Sequence, residues 1–226
     1  MKKRGYSRIG AVVILGVYIN MLIVPLKSLT AQEFLVSKKT LQQVRKKYGS
    51  DASMRVENMN RLLHSVQQES VEKQLRSVND FFNKVPFSTD QQKWGKEDYW
   101  ATPLEFLGVN EGDCEDYVIA KFFALLKLGI AQEKLYFTYV TYLPANQAHM
   151  VLTYVEKPNS IPLVLDNINK KTLLASQRHD LKHVYSFNAE ALYLNKQKSL
   201  GQIVPSGLKK NRRWVEFLSR VTMEQL

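Results

Sequence analysis

The only cysteine in the 226-residue chain, Cys114, precedes a segment that is apolar at nearly every position over residues 118–126. A helix with apolar residues around most of its circumference has to be buried, because no face of it suits water. Gly129 follows at the position where glycine commonly ends a helix. The pattern therefore predicts a central buried helix over residues 114–128, with the cysteine held rigidly at its beginning.

Acidic residues surround this cysteine. Asp113 and Glu115 flank it directly, and Glu111 and Asp116 lie close by. The N–H groups and dipole at a helix N-terminus stabilise a thiolate, whereas neighbouring carboxylates disfavour ionisation of the thiol. A reactive thiolate at this position therefore requires a compensating positive charge.

Helical patterns come before this segment and strand patterns come after it. Apolar residues recur at helical spacing over residues 40–84, and an exposed helix is predicted at 208–225. The predicted strands are residues 135–142, 149–156, 162–166 and, more weakly, 191–194. This order predicts an α+β fold, with a helical N-terminal part and a central buried helix packed on an antiparallel sheet.

The first 31 residues have the composition of an export signal. They contain five basic residues and no acidic residue, and residues 9–25 form an almost unbroken apolar run. Cleavage after Ala31 would remove a signal peptide, but the run is also near the lower length limit of a membrane span. A signal peptide and an uncleaved N-terminal anchor therefore both remain open, and both predict an exported protein.

The remainder, residues 32–226, is predicted to be one domain. It comprises a mainly helical part at 32–90, a catalytic core at 91–200 and a C-terminal helix at 205–226. The net charge of the whole chain is +11, of which the N-terminal 31 residues supply five. The rest lacks the arginine-rich or aromatic-interleaved pattern of nucleic-acid-binding proteins, so we exclude that class.

His149 and Asp166 are the residues best placed to activate Cys114. His149 lies at the start of one predicted strand, and Asp166 ends the next. Antiparallel neighbours can bring these two positions together, and a thiol nucleophile needs both an imidazole and a group that orients it. His64 is interpreted as a solvated or helix-packing residue of the N-terminal helical part. The charged run at 177–183 is interpreted as a surface loop that contains His179 and His183.

Four stretches of the sequence together resemble one family. They are the aromatic run at 94–103, Gly-Asp-Cys-Glu-Asp-Tyr at 112–117, Ala-His-Met-Val-Leu at 148–152 and Leu-Asp-Asn at 165–167. Over roughly residues 90–195 the chain is similar to the bacterial transglutaminase-like cysteine proteinases. The resemblance implies a papain/transglutaminase-like fold and a catalytic triad of Cys114, His149 and Asp166.

The resemblance also implies a cofactor, a substrate, a partner and a compartment. Members of the family bind Ca²⁺ through the acids beside the nucleophile, here Asp113 and Glu115, with Asp116 as a further candidate. The substrate would be the N-terminal region of a large surface adhesin, whose release favours biofilm dispersal. An inner-membrane cyclic-di-GMP receptor would sequester the protease in the periplasm.

The sequence leaves other interpretations open. The same three residues would also serve a transglutaminase or a cell-wall amidase, and a non-enzymatic calcium-binding periplasmic module is a third possibility. Asp113 can alternatively cap the helix, with Glu115 and Asp116 complementing its dipole. Packing and the lining of a substrate groove are both open roles for three aromatic residues: Trp94, Tyr99 and Trp100.

Overall fold

The computed structural model describes residues 36–188, 216, 217 and 219–221, all within the compact unit Ala31–Leu226. The export signal and the weak strand at 191–194 lie outside these residues, so both stay predictions. Among the described residues, no helix combines the length and the apolar character that crossing a membrane requires.

The segment predicted to be helical contains three helices: α1 (Lys38–Tyr48), α2 (Ser50–Val66) and α3 (Val71–Phe82). Gly49 separates the first two and adopts a positive φ of 93°, which a residue with a side chain rarely tolerates. The Ser70 hydroxyl accepts the Lys73 N–H at 3.3 Å and caps the third. The predicted helical N-terminal part is therefore confirmed.

Two short helices that were not predicted from the sequence, α4 (Asp90–Trp94) and α5 (Pro103–Val109), lie at the two ends of the aromatic run at 94–103. Each begins with a capping box, formed by Thr89 with Gln92 and by Thr102 with Glu105. These reciprocal side-chain bonds satisfy the first N–H groups of helices that are too short to show a periodic apolar pattern.

The central helix, α6 (Cys114–Lys127), begins at the predicted residue and is buried over most of its surface. It packs against α3, α5 and the sheet. Gly129, at a φ of 85°, donates to the Leu126 carbonyl at 2.9 Å, and Ile130 donates to Leu125 at 3.1 Å. This pair of bonds is the Schellman ending that the glycine predicted.

The described residues contain one sheet of five strands: β1 (Leu135–Tyr142), β2 (Gln147–Tyr154), β3 (Leu163–Leu165), β4 (Leu173–Leu174) and β5 (Leu181–Phe187). Their order in the sheet is β4-β3-β2-β1-β5. All four pairings are antiparallel, which confirms the predicted α+β class.

The two faces of the sheet bury different clusters. Met150 and Leu152 of β2 join the main core beneath α6, whereas Val151 faces a smaller cluster with Val140 and Val164. The strand that carries His149, β2, is therefore buried on both faces. This packing fixes the position of His149 near the start of the strand.

β4 and β5 were not predicted from the sequence. The charged run at 177–183 was interpreted as a surface loop, but residues from Leu181 onwards form an edge strand in which His183 is exposed. Most of the side chains of this strand face water, so the run lacks the apolar alternation by which a half-buried strand is recognised.

The described residues of the C-terminal segment are helical, but the predicted exposure is wrong at Phe217. This ring is 0% exposed and lies 5.7 Å from the ring of Phe123 on α6. Arg220 donates to the Trp100 carbonyl and stacks 4.5 Å from the Tyr99 ring. The segment therefore closes the core beside α6.

We predict that Phe217→Ala lowers the free energy of unfolding by about 3–5 kcal/mol, because it leaves a cavity against α6. Phe87→Ala is the matched control, since Phe87 is 60% exposed. Denaturant unfolding of both variants measures the difference. Equal stabilities would show that the C-terminal segment does not pack as described.

Candidate active site and metal centre

The loop before α6 is held against the segment that follows α3. Gly112 forms a parallel bridge with Phe87, and the Ser88 N–H donates to the Gly112 carbonyl at 2.9 Å. A Cβ on Gly112 would collide with Asp116 Oδ2 and would come within 2.7 Å of the Phe106 ring. Glycine is therefore required for this close approach, which sets the path of the chain into the cysteine.

Cys114 is half-buried at the first position of α6. Its thiol donates to Glu115 Oε2 at 2.7 Å. Burial raises the pKa of the thiol well above its ordinary value, and the charges of Glu115 and Asp113 raise it further. An interaction with the Met150 backbone acts in the opposite direction, and Met150 is the neighbour of His149 on β2.

His149 and Asp166 form a buried pair. The imidazole Nε2 lies 2.8 Å from Asp166 Oδ1, and both side chains are at least 95% buried. Because Nε2 is engaged by the carboxylate, Nδ1 is the ring nitrogen left to exchange a proton with another group. Tyr142 packs edge-on against the ring at 6.4 Å and restricts its orientation.

Several donors surround the Asp166 carboxylate. The Ile168 N–H donates to Oδ1 at 2.9 Å, and the buried Arg178 guanidinium donates to Oδ2 at 2.6 Å. Burial acts to raise the pKa of Asp166, but the His149, Ile168 and Arg178 interactions outweigh it and hold the pKa well below its usual range. Arg178 also binds Asp180 at 2.8 Å. Sequence reasoning missed Arg178, because it lies in the charged run assigned to the surface.

Three carboxylates converge behind Cys114. Asp90, Asp113 and Asp116 each offer an oxygen, and these oxygens all lie within 4.8 Å of one another. Asp90 accepts the Tyr99 N–H at 2.5 Å, and Asp116 accepts the Ala101 N–H at 2.7 Å. The chain from residue 99 to 101 thus orients two of the three acids.

The negative charges of this cluster are electrostatically unfavourable unless they are compensated. Burial raises the pKa of Asp113 to about 10, and the charges of Glu115, Asp116 and Asp90 add to the increase. Asp113 Oδ1 is buried without a hydrogen-bond partner among the described residues. A set of hard carboxylate oxygens with an unsatisfied member fits Ca²⁺, which binds such ligands and offsets their mutual repulsion.

The predicted ligands Asp113 and Glu115 therefore occupy different positions. Asp113 belongs to the cluster, whereas the Glu115 carboxylate accepts the Cys114 thiol and acts on the cluster through its charge. Asp116, the further candidate, belongs to the cluster and is fully buried. Sequence reasoning missed Asp90, which lies in a capping box 23 residues before Asp113.

The three aromatic residues near the cluster differ in exposure. Trp100 is 3% exposed and packs in the core, so it does not line a groove. Trp94 and Tyr99 are partly buried, with ring centroids 4.6 Å apart, and the Tyr99 hydroxyl donates to Glu105. Packing is therefore the principal role of this run.

Comparison with known proteins agrees with this geometry. A sequence model of the bacterial transglutaminase-like cysteine proteinase family, BTLCP, matches residues 45–189. Three solved structures of LapG from Legionella pneumophila are similar to the chain, each with 42% sequence identity and a TM-score of 0.61. No curated protein matched the chain.

The three LapG structures differ in their treatment. The calcium-bound structure is matched over 67% of this chain and 84% of its own, and the EGTA-treated one over 69% and 83%. A third, with neither description, is matched over 69% and 84%.

We predict that Asp90→Asn weakens Ca²⁺ binding at least about tenfold, because affinity depends on the number of charged ligands. Isothermal titration of the purified protein with CaCl₂ measures the change. Glu97→Gln removes the same charge from an exposed residue and should bind as the wild type does. Unchanged affinity in Asp90→Asn would exclude Asp90 from the site.

We also predict that Arg178→Met lowers the free energy of unfolding by about 3–5 kcal/mol at pH 7, because Asp166 stays charged and buried. Since the pKa of Asp166 is held below its ordinary value near 4, its stabilisation is complete above that value. It is lost as the pH falls through the folded-state pKa.

The difference between wild type and Arg178→Met should therefore narrow below about pH 4. Urea unfolding at pH 7 and pH 3 measures it. Arg76→Met removes an exposed pair with Glu72 and should cost less than about 1 kcal/mol at either pH. An equal difference in unfolding free energy at pH 7 and pH 3 would contradict the assignment of Arg178 as a partner that compensates the charge of Asp166.

Proposed function

The chain belongs to the bacterial transglutaminase-like cysteine proteinases, and from that premise we propose that it is an exported, calcium-dependent cysteine endopeptidase. The observation that carries the proposal is the buried His149–Asp166 pair, whose histidine lies on β2, the strand packed against the helix that Cys114 begins. A triad of Cys114, His149 and Asp166 is the arrangement that this geometry supports best.

In the proposed reaction, His149 removes the thiol proton through Nδ1, and the sulfur attacks the carbonyl carbon of a peptide bond. The imidazolium then returns the proton to the leaving amine. A water molecule, deprotonated by the imidazole, attacks the resulting thioester and releases the acid and the free thiol. Asp166 accepts the Nε2–H throughout, which fixes the tautomer and stabilises the imidazolium.

The start of α6 supplies the electrostatic support for the carbonyl oxygen. Cys114 is the first residue of the helix, so its N–H has no acceptor within the helix and is available to the developing oxyanion. The rigid packing of α6 holds this donor in place before the substrate arrives. Such preorganisation is what makes a single donor valuable in catalysis.

Asp90, Asp113 and Asp116 would hold Ca²⁺, with Glu115 retained as a predicted ligand. The bound ion would offset the negative charge that now raises the pKa of Cys114. The calcium-bound and EGTA-treated structures of LapG support this assignment by similarity. In its absence, the thiol would stay protonated and bonded to Glu115.

The substrate, partner and compartment follow from the family resemblance. We propose a periplasmic enzyme that cleaves the N-terminal region of a large surface adhesin at paired alanines and so releases it from the cell. An inner-membrane receptor would hold the enzyme inactive when cyclic-di-GMP is abundant. The basic, apolar N-terminus supports export, with either a cleaved signal or a retained anchor.

We predict that Cys114→Ala and His149→Ala each lower the cleavage of an adhesin fragment by at least about a thousandfold, because they remove the nucleophile and the base. Mass spectrometry of the products over time measures the rates. His64→Ala is the matched control, since His64 is exposed on α2, and it should cleave as the wild type does.

The same assay separates the parts of the proposal. EGTA should abolish cleavage, and added Ca²⁺ should restore it. If cleavage is unchanged by EGTA, the calcium dependence is wrong, but the proposed protease activity is not affected. Cleavage at the wild-type rate in both Cys114→Ala and His149→Ala would refute the proposed cysteine protease activity. Incorporation of a labelled amine into a glutamine acceptor, without cleavage, would identify a transglutaminase instead.

A further inference from the structure

Lys121 is a fully buried lysine in the middle of α6. It is 0% exposed and stands seven residues after Cys114, on the same face of the helix. Its Nζ has no hydrogen-bond partner among the described residues, and the nearest ring is that of Tyr117, at 5.6 Å. Burying an ammonium group without a direct partner is costly, so this side chain calls for an explanation.

The charged groups that act on Lys121 include a residue of the candidate active site. The charges of Asp166 and Asp80 both act on its ammonium group. Asp80 belongs to α3, which packs on α6, and Asp166 follows β3. Lys121 therefore lies on the helix that packs on α3, where charges of α3 and of the loop after β3 act on its ammonium group.

Two asparagines of α3 fix that loop. Asn83 Nδ2 donates to the Asp166 carbonyl at 2.7 Å, and Asn79 Nδ2 donates to the Lys170 carbonyl at 2.8 Å. Both asparagines are buried, and the Oδ1 atoms of both lack a hydrogen-bond partner among the described residues. Lys121 on α6 thus carries an unsatisfied donor group, and the two asparagines, near the end of the helix that packs on α6, carry unsatisfied acceptors of complementary character.

We propose that Lys121 is a positioning residue, which together with Asn79 and Asn83 fixes the loop after β3 and so orients the His149–Asp166 pair. The expected change in kcat rests on the proposed function, whereas the orientation of the His149–Asp166 pair by Lys121 does not. Burial lowers the pKa of Lys121 to about 7, while the charges of Asp166 and Asp80 act to raise it. The two carboxylates therefore favour the charged form of the buried lysine.

Lys121→Met tests the role of the polar group, because methionine has a similar length and needs no hydrogen bonds. Replacing a buried charge by an apolar residue of similar volume is commonly neutral or stabilising, so we expect the variant to fold. Its kcat should fall about 10- to 100-fold through the misplaced imidazole, with KM changed by less than about twofold. Lys127→Met, on the same helix and only partly buried, should behave as the wild type does.

A spectroscopic measurement needs no substrate. The proton on His149 Nε2 is bonded to Asp166 and should give a protected, downfield NMR signal in the wild type and in Lys127→Met. Lys121→Met should broaden or lose that signal. If the wild type cleaves no peptide, the proposed function fails, but this measurement still tests the positioning role.

Asn83→Leu provides a second variant should Lys121→Met fail to fold. It removes the donor to the Asp166 carbonyl and should produce the same loss of kcat and of the Nε2–H signal. Wild-type kcat together with an unchanged signal in either folded variant would overturn the proposal. Loss of folding in both, with intact folding in Lys127→Met, would show that the cluster serves stability rather than positioning and would also overturn it.

Discussion

The burial of α6 is the constraint on which the geometry of the site depends. The helix is enclosed by α3, α5 and β2, so Cys114 cannot move independently of the strand that carries His149. Gly112 permits the tight entry into the helix, and the Schellman ending at Gly129 closes it. The packing of the core therefore also determines the position of Cys114.

Two groups of buried acids on this scaffold are in opposite electrostatic settings. Asp166 receives Arg178, His149 and backbone N–H groups, and its pKa is held low. Asp113 lies among other carboxylates, and its pKa is raised to about 10. The chain therefore compensates the charge of Asp166 by itself, whereas the carboxylates around Asp113 add to its unfavourable negative charge. Under the proposed function, a bound cation would compensate this second site.

The sequence predicted those parts of the fold that have strong local patterns. The apolar circumference of α6 and the β-branched run of β1 indicated buried elements, and the ends of β2 and β3 indicated that His149 and Asp166 meet. Contacts between distant segments were not predictable in this way. Asp90 and Arg178 lie in polar runs that resemble ordinary surface, and only the tertiary fold brings them to the site. Their catalytic and metal-binding roles, like those of Cys114 and Glu115, stay predictions.

The contact between the C-terminal segment and the chain beside the acidic cluster has a consequence for the order of events during biosynthesis. Arg220 donates to the Trp100 carbonyl, and the adjacent Tyr99 N–H donates to Asp90. The first of these bonds cannot form until Arg220 has been synthesised, 130 residues after Asp90. A chain that is still growing on the ribosome therefore contains its acidic cluster before it contains this brace.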